Sequence, residues 1–247
     1  MTNKEVVKNL AQLKYHKLCE SYVKVISNKN IEGKTFNELF MMMLAYEEDL
    51  AQINKTKILL KQTNLVVPSS LDDIDYSSPR NLKSEVINNL KTLDFIKNAH
   101  NIIVSGATGC GKTYLGTAFG FEAVMSHFEV CYYRIPFLLD EISLRRDKGT
   151  YRKLMRKLKK LDLLILDDLG LSNLSIQESR EILEILEQRN KHCSTILISQ
   201  LPFDKWYEMF KDPTLADAII DRIAYNSYKI ELKGDSMRKT KNSLQNN

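Results

Sequence analysis

Two short segments carry residue types and spacings that suit phosphate chemistry. The first is GATGCGKT, residues 106–113, which has the pattern G-x-x-x-x-G-K-[ST]. Its glycines let successive backbone N–H groups point at phosphate oxygens, Lys112 can reach the β and γ phosphates, and the Thr113 hydroxyl can bind Mg²⁺. The second is LDLLILDD, residues 161–168, in which an apolar run ends in two aspartates. Together they predict a site for ATP and Mg²⁺.

The first segment also stands in the strand–loop–helix context that its motif requires. The apolar run NIIVS precedes it, and the helical pattern TYLGTAFGFEAVMSH follows. The helix beginning near Lys112 would present its positive end to the anion. A glycine-rich turn without a ligand is the alternative, and this context weighs against it. The residues predicted to bind nucleotide are Gly106, Ala107, Thr108, Gly109, Cys110, Gly111, Lys112, Thr113 and Tyr114.

The second segment supplies a metal ligand and a candidate for activating water. Asp167 would emerge at the carboxyl end of a buried strand, where ligands collect in parallel α/β sheets. There it would hold Mg²⁺ together with Thr113, and Asp168 would orient or deprotonate the attacking water. The alternative is that these aspartates cap a helix or lie in a loop.

Three further polar residues are candidates for catalysis. Ser199 and Gln200 end the segment STILISQ, so either could sense the γ-phosphate, and either could equally be an ordinary polar residue at a strand end. Arg222 lies at the edge of an apolar stripe in a predicted helix, so it can reach outward. It could complete the ATP site of a neighbouring copy, or it could form a surface salt bridge.

The elements around these residues predict an α/β fold. From Asn101 onward, apolar strands alternate with amphipathic helices, which is typical of a parallel sheet covered by helices on both faces. A helix is predicted over 79–97, with Leu82, Val86, Leu90 and Leu93 on one face, and others over 203–210 and 214–225.

The chain is predicted to have two domains. Residues 1–65 read as an all-helical N-terminal domain, in which Thr35 and Glu38 have the spacing of a capping box. Residues 66–79, rich in Ser and Pro, are expected to form a linker that lies against the next domain. Residues 80–236 form the predicted ATPase domain, and residues 237–247 a basic, disordered tail.

Composition restricts the class of protein. The chain has 247 residues, of which 43% are hydrophobic and 27% charged, and no apolar run reaches the length of a membrane span. We therefore expect a cytoplasmic protein without membrane contact. The four cysteines are widely scattered, which favours reduced structural thiols over a metal site.

The strongest charge feature is RRDKGTYRKLMRKLKK, residues 145–160, with nine Lys or Arg and one Asp. Since the whole chain carries only +5, this basic patch stands out and suggests a polyanion partner. One face of a helix in this segment would be buried, formed by Tyr151, Leu154, Met155 and Leu158. No aromatic residue lies on the opposite, exposed face, which favours contact with the backbone of duplex DNA over stacking on the bases of a single strand. A merely solvated helix face is the alternative. The predicted DNA-binding residues are Arg145, Arg146, Lys148, Arg152, Lys153, Arg156, Lys157, Lys159 and Lys160.

Taken with YRIPFLLDEISLRRDKGTYRKL, ISQLPFDKWYEMFKDPTLADAIIDRI and ELKGDSMRK, these segments resemble the IstB-like ATPases. These are helper proteins of a bacterial insertion-sequence family and relatives of the DnaC-type helicase loaders, within the AAA+ superfamily. The resemblance extends from about residue 10 to residue 239. It implies an AAA+ P-loop fold and ATP-dependent homo-oligomers on duplex DNA. It also implies a cognate transposase, whose target choice and insertion the protein assists.

The resemblance also implies roles for particular residues. Arg222 matches the family's trans-acting arginine, Arg238 would face the nucleotide, and the basic segment would face DNA. Where AAA+ proteins usually have Asp-Glu after the strand, this chain has Asp167 and Asp168, which implies slow hydrolysis. Two other functions stay open. One is a helicase loader that binds single-stranded DNA, and the other is a nucleotide-gated DNA scaffold with negligible turnover.

Overall fold

A sheet of parallel strands carries the predicted phosphate loop at the end of one of its inner strands. The computed structural model describes residues 2–28, 31–65, 69–77, 80–234 and 236–237. The strands are β1 (Asn101–Gly106), β2 (Val130–Arg134), β3 (Leu163–Leu169), β4 (Ser194–Ser199) and β5 (Ser227–Leu232). They follow the order β2-β3-β4-β1-β5, and every neighbouring pair is parallel, which confirms the predicted α/β architecture.

Helices precede the sheet and connect its strands. The described helices are α1 (Asn3–Gln12), α2 (His16–Ile26), α3 (Phe36–Gln62), α4 (Ser84–Lys91), α5 (Asp94–Lys97), α6 (Lys112–Met125), α7 (Ile135–Asp147), α8 (Tyr151–Lys160), α9 (Ile176–Arg189) and α10 (Pro213–Ala224). α6 follows β1, the pair α7 and α8 joins β2 to β3, and α9 joins β3 to β4.

Alternate residues of the strands bury into two separate apolar clusters, one on each face of the sheet. Leu164 and Leu166 of β3 belong to the cluster that includes residues of α7, α8, α9 and α10. Leu163 and Ile165 belong to the cluster that includes residues of α4, α5 and α6. Because side chains of a strand point alternately to opposite faces, a strand covered on both faces reads as a continuous apolar run.

The predicted buried stripe of the basic helix is confirmed. Leu154, Met155 and Leu158 of α8 are buried, and Tyr151 packs partly buried against the same cluster. The Lys and Arg residues of α8 are all exposed. The i, i+3, i+4, i+7 spacing of apolar residues therefore sets which face of α8 meets the core.

A fully buried arginine ties α8 to the rest of the domain. The Arg189 guanidinium, at the end of α9, donates to the backbone oxygens of Leu161 at 2.9 Å, Ser194 at 2.5 Å and Leu158, while its Nε donates to Thr195 at 3.1 Å. These acceptors lie at the end of α8, just after it, and at the start of β4. Burial lowers the pKa of Arg189, and the carbonyl dipoles compensate for the lost hydration.

The segment before the sheet packs on it, but its helical part is shorter than predicted. Leu71 and Ile74 are buried in the cluster with α6. The single helix predicted over 79–97 is wrong: α4 ends at Lys91 and α5 begins at Asp94. Between them Leu93 has a φ of 59°, outside the helical region. This turn buries Leu93 as well as Phe95 and Ile96, a gain that offsets the backbone strain.

Two smaller predictions differ in detail. The helix predicted over 203–210 is a 3-10 helix, Phe203–Met209, which starts after Pro202 and buries Trp206. The helix predicted over 214–225 is α10, which begins one residue earlier with Pro213 in its first turn and Asp212 as its N-cap.

The chain divides into two units, residues 1–58 and 59–247. In the first unit, Thr35 and Glu38 form the predicted capping box, with the Thr35 N–H donating to Glu38 at 2.6 Å. Of the apolar residues of α3 in this unit, Met43 is buried, whereas Phe40 and Ile53 are exposed. Among the described residues, no helix combines the length and apolar character that crossing a membrane requires.

We predict that Arg189→Met destabilises the sheet-bearing unit. The methionine fills similar space but removes a donor from three buried carbonyl groups, so the free energy of unfolding should fall by about 3 kcal/mol or more. Urea unfolding followed by the fluorescence of Trp206, the single tryptophan, measures this unit directly.

The matched control is Arg180→Met, an exposed arginine of the same helix, which should change stability by less than about 0.5 kcal/mol. Equal unfolding midpoints for the two variants would contradict the assigned role of Arg189.

Candidate nucleotide site

The phosphate loop connects the end of β1 directly to α6. Gly106 has a φ of 144°, and a Cβ there would lie 2.2 Å from the backbone oxygen of Leu232 in β5. Gly111, the N-cap of α6, has a φ of 99°. Both positions therefore require glycine. The backbone they allow curls into the N-terminus of α6, and a helix N-terminus attracts anions.

The Lys112 side chain lies within the phosphate loop. Its side chain is largely buried, and its Nζ donates to the backbone oxygen of Ala107 at 2.8 Å, so the ammonium group lies across the loop. The other residues of the predicted nucleotide-binding set lie in the same loop and the first turn of α6. Cys110 is completely buried under it, and the Tyr114 hydroxyl donates to the Ser70 oxygen at 3.0 Å.

The two predicted metal ligands are in contact. The Thr113 hydroxyl donates to Asp167 Oδ2 at 2.7 Å, although β4 separates β1 from β3 in the sheet. The Tyr132 hydroxyl donates to the same oxygen at 2.9 Å, and the Asp168 N–H donates to Oδ1 at 2.7 Å. These oxygens form a compact set of hard donors, which suits Mg²⁺. Within the described residues, no cluster of three or more His, Cys, Asp or Glu suggests another metal site.

Burial and hydrogen bonding act on Asp167 in opposite directions. Burial raises the pKa of Asp167, while the hydrogen bonds from Thr113, Asp168 and Tyr132 lower it. Burial together with the negative charge of Asp167 raises the pKa of the Tyr132 hydroxyl, which keeps it a donor. A cation beside Asp167 would favour its charged form.

Asp168 has an unusual backbone and a strong partner. Its φ is 63°, in the left-handed region, and the pairing of β3 with β4 shifts register between Leu166 and Leu169. Its carboxylate accepts a 2.5 Å hydrogen bond from Arg134 Nε at the end of β2. This hydrogen bond and the charge of Asp168 raise the pKa of Arg134. The acid is thus held in an ion pair at the edge of the site.

Ser199 and Gln200 face different neighbours. The Ser199 hydroxyl is buried, donates to the Leu169 oxygen at 2.9 Å and accepts from the Leu201 N–H at 3.1 Å. The side-chain oxygen of Gln200 instead accepts from the Thr108 hydroxyl in the phosphate loop, at 3.1 Å. Of the two candidates, Gln200 is the one in contact with the phosphate loop.

Arg222 lies outside this group of contacts. Its guanidinium pairs with Glu187 of α9 at 3.2 Å and with its neighbour Asp221 at 3.3 Å, and it is about one-third exposed. It borders a surface depression of about 590 Å³ that is also lined by Tyr207 and Asp217. Arg238 lies outside the described residues, so its predicted role stays a prediction.

The predicted DNA-binding residues fall into two groups. Arg145 pairs with Glu141 at 2.7 Å, and Arg146 pairs with Glu181 at 3.2 Å while stacking over the Tyr151 ring. Arg145 thus pairs within α7, whereas Arg146 connects α7 to α9 and α8. The remaining seven are exposed: Lys148, Arg152, Lys153, Arg156, Lys157, Lys159 and Lys160.

Sequence reasoning missed two residues of the site. Tyr132 and Arg134 both belong to β2, and each contacts one of the two aspartates. The only available signal was the polar end of the strand EVCYYRIP. Using it required knowing that β2 is the neighbour of β3, with Arg134 opposite Asp167.

Comparison with known families agrees with this geometry. A family model described as IstB-like ATP binding protein matches residues 8–245. An insertion sequence ATP-binding protein of Sinorhizobium fredii is 36% identical over 222 residues, covering 90% of this chain and 91% of the relative. The insertion sequence IS21 ATP-binding protein of Pseudomonas aeruginosa is 28% identical over 229 residues, 93% of this chain and 84% of the relative.

Solved structures agree on the fold. The crystal structure of DnaI has a TM-score of 0.56 and 23% identity, covering 68% of this chain and 89% of that one. The crystal structure of the DnaC helicase loader has a TM-score of 0.56 and 19% identity, covering 67% of this chain and 97% of that one. The α/β P-loop fold predicted from the sequence is confirmed.

We predict that Asp167→Asn uncouples nucleotide binding from Mg²⁺. The amide keeps the size of the side chain but removes the charge that would hold the metal, so hydrolysis should fall about a hundredfold or more. Phosphate release gives the rate, and calorimetric titration of ADP with and without Mg²⁺ gives the metal dependence.

Asp140→Asn, on the exposed side of α7, removes the same charge elsewhere and should leave both measurements unchanged. An unaltered Mg²⁺ dependence in Asp167→Asn would show that the metal is held by other groups.

Proposed function

The chain belongs to the family of IstB-like ATP binding proteins, and we propose that it is a transposition helper, an ATPase that oligomerises on duplex DNA and assists a transposase. In this role it would select target DNA and stimulate insertion. The observation that carries the proposal is the contact between Thr113 and Asp167, made at the end of the strand that the basic helix α8 leads into.

The proposed nucleotide chemistry follows from the positions of the side chains. The loop N–H groups and Lys112 would bind the phosphates, and Thr113 and Asp167 would hold Mg²⁺, which when bound would supply positive charge beside the phosphate oxygens. Asp168 orients the attacking water, and Gln200 lies close enough to the loop to sense the γ-phosphate. Because Arg134 holds the Asp168 carboxylate in an ion pair, we infer slow basal hydrolysis that rises when this pair opens.

The proposed DNA contact is the exposed face of α8. Its six Lys and Arg residues can neutralise phosphates without reading the base sequence. The one aromatic residue of α8, Tyr151, is engaged with Glu184 at 2.5 Å, so no ring is offered for base stacking. The end of α8 is connected to β3 by only Leu161 and Asp162. A displacement of α8 on DNA binding would therefore act close to the strand that carries Asp167.

The proposed oligomer uses Arg222. An arginine that reaches a neighbouring copy's γ-phosphate stabilises the charge of the transition state, and hydrolysis then requires assembly. Arg222 is partly exposed, and its partners Glu187 and Asp221 are exposed too. Exposed ion pairs contribute little to stability, so Arg222 can exchange these partners for a phosphate at small cost.

The helicase-loader function remains the competing outcome. The likeness to DnaI and DnaC is below 25% identity and concerns the fold alone. The two functions differ in strand preference, because a loader binds single-stranded DNA and a helper binds duplex.

The decisive experiment is electron microscopy of the protein with duplex or single-stranded DNA, under ATP or ADP. We expect large ordered assemblies only with ATP and duplex. Reversing charge in Arg152→Glu/Arg156→Glu/Lys157→Glu should abolish them, and binding of the unchanged protein should weaken steeply with salt.

The control is Lys205→Glu/Lys211→Glu/Lys233→Glu, which changes net charge equally at exposed positions outside α8 and should still assemble. Rings that prefer single strands would favour the loader. If duplex binding survived the charge reversal in α8, the DNA contact would have to lie on another surface.

We predict that two inactive variants restore each other's hydrolysis. Arg222→Ala should bind ATP but not hydrolyse it, and Asp167→Asn should also be inactive. In an equal mixture, about a quarter of the interfaces would combine an intact Asp167 with a neighbour's Arg222, and phosphate release should recover to that extent.

The control is a mixture of Asp167→Asn with Lys112→Ala. Both residues belong to the part of the site that the nucleotide-binding chain itself supplies, so every site in this mixture lacks one of them and phosphate release should not recover. Normal turnover by Arg222→Ala alone would overturn the trans role.

A further inference from the structure

Arg80 is held beside the phosphate loop by backbone contacts. The Lys233 N–H, just after β5, donates to the Arg80 oxygen at 3.0 Å. The side chain of the next residue, Asn81, donates to the Glu231 oxygen at 3.3 Å. β5 is the direct neighbour of β1, with Leu232 paired to Gly106. The segment before α4 is therefore fixed next to the strand end from which the loop begins.

The guanidinium of Arg80 reaches the N-terminus of α6. Its Nη1 would lie 3.4 Å from a Cβ placed on Gly111. Its Nη2 donates to the backbone oxygen of Asp75. Its Nε is buried and has no hydrogen-bond partner among the residues that the structure describes. One side of the guanidinium is thus anchored, and another N–H is left unsatisfied.

This placement is unfavourable for the protein alone. The N-terminus of α6 is the positive end of the helix dipole, and Lys112 already brings a full positive charge there. A second cation at the same point is repelled, and the buried Nε adds the cost of an unmade hydrogen bond. An anion at the loop would reverse both effects, because guanidinium groups bind phosphate oxygens through paired N–H donors.

We propose that Arg80 is a phosphate-binding residue of the nucleotide site, supplied by the segment that precedes the ATPase core. It binds an oxygen of the α- or β-phosphate, the two groups that the loop N–H groups cradle. Arg80 therefore contributes equally to binding ATP and ADP, unlike a residue that senses the γ-phosphate. The inference rests on the proposed nucleotide site and adds to it a residue outside the motif.

The test is calorimetric titration of the whole protein with ADP and with the β,γ-imido analogue of ATP, both with Mg²⁺. Arg80→Gln should lose about tenfold to a hundredfold in affinity for both nucleotides, by the same factor. Arg80→Lys, which keeps the charge without the planar fork, should lose less. Lys83→Gln is the matched control, since it removes an exposed positive charge three residues away.

Other outcomes are equally informative. Unchanged affinities in Arg80→Gln, with Lys112→Ala losing binding, would overturn the role of Arg80 and leave the nucleotide site standing. A loss for the ATP analogue alone would place Arg80 at the γ-phosphate and also overturn the proposal. If the unaltered protein bound neither nucleotide, the proposed ATPase function would fail with it.

Discussion

The hydrogen bond between Thr113 and Asp167 is the contact on which the site depends. β1 and β3 are not neighbours, so the first turn of α6 must cross above the end of β4 to bring the two oxygens to 2.7 Å. Any change in strand order, in the register of the central strands or in the curl of the loop would separate them. The parallel sheet, its two apolar layers and the loop glycines all serve this single juxtaposition of a hydroxyl and a carboxylate.

Arg189 gives the other end of the domain its rigidity. The last carbonyl groups of a helix have no donor within the helix, and a buried arginine can donate hydrogen bonds to several of them at once. Its acceptors lie at the end of α8, in the connection to β3 and at the start of β4. The basic helix is thereby attached to the strands by directional bonds as well as by apolar packing, and a force on its outer face has a defined route into the sheet.

The sequence was most informative where a function depends on neighbouring residues. The phosphate loop, the buried strand before Asp167 and the stripe of α8 were all predicted from local spacing. Contacts set by strand order could not be: Tyr132 and Arg134 reach the aspartates only because β2 lies beside β3. The break at Leu93 was missed for a related reason. The apolar spacing there suits a helix, and only the burial of Phe95 and Ile96 outweighs the cost of the left-handed turn.

The left-handed backbone at Asp168 limits which acid can occupy that position. Asp and Asn are the side chains that tolerate positive φ best after glycine, because a short polar group can bond locally where a longer one crowds the chain. Replacing Asp168 by Glu is ordinarily a mild substitution. Here it would strain the left-handed backbone as well as lengthen the side chain. A longer acid at this position would require a redesign of the turn as well, which continues to Gly170 at a φ of 76°.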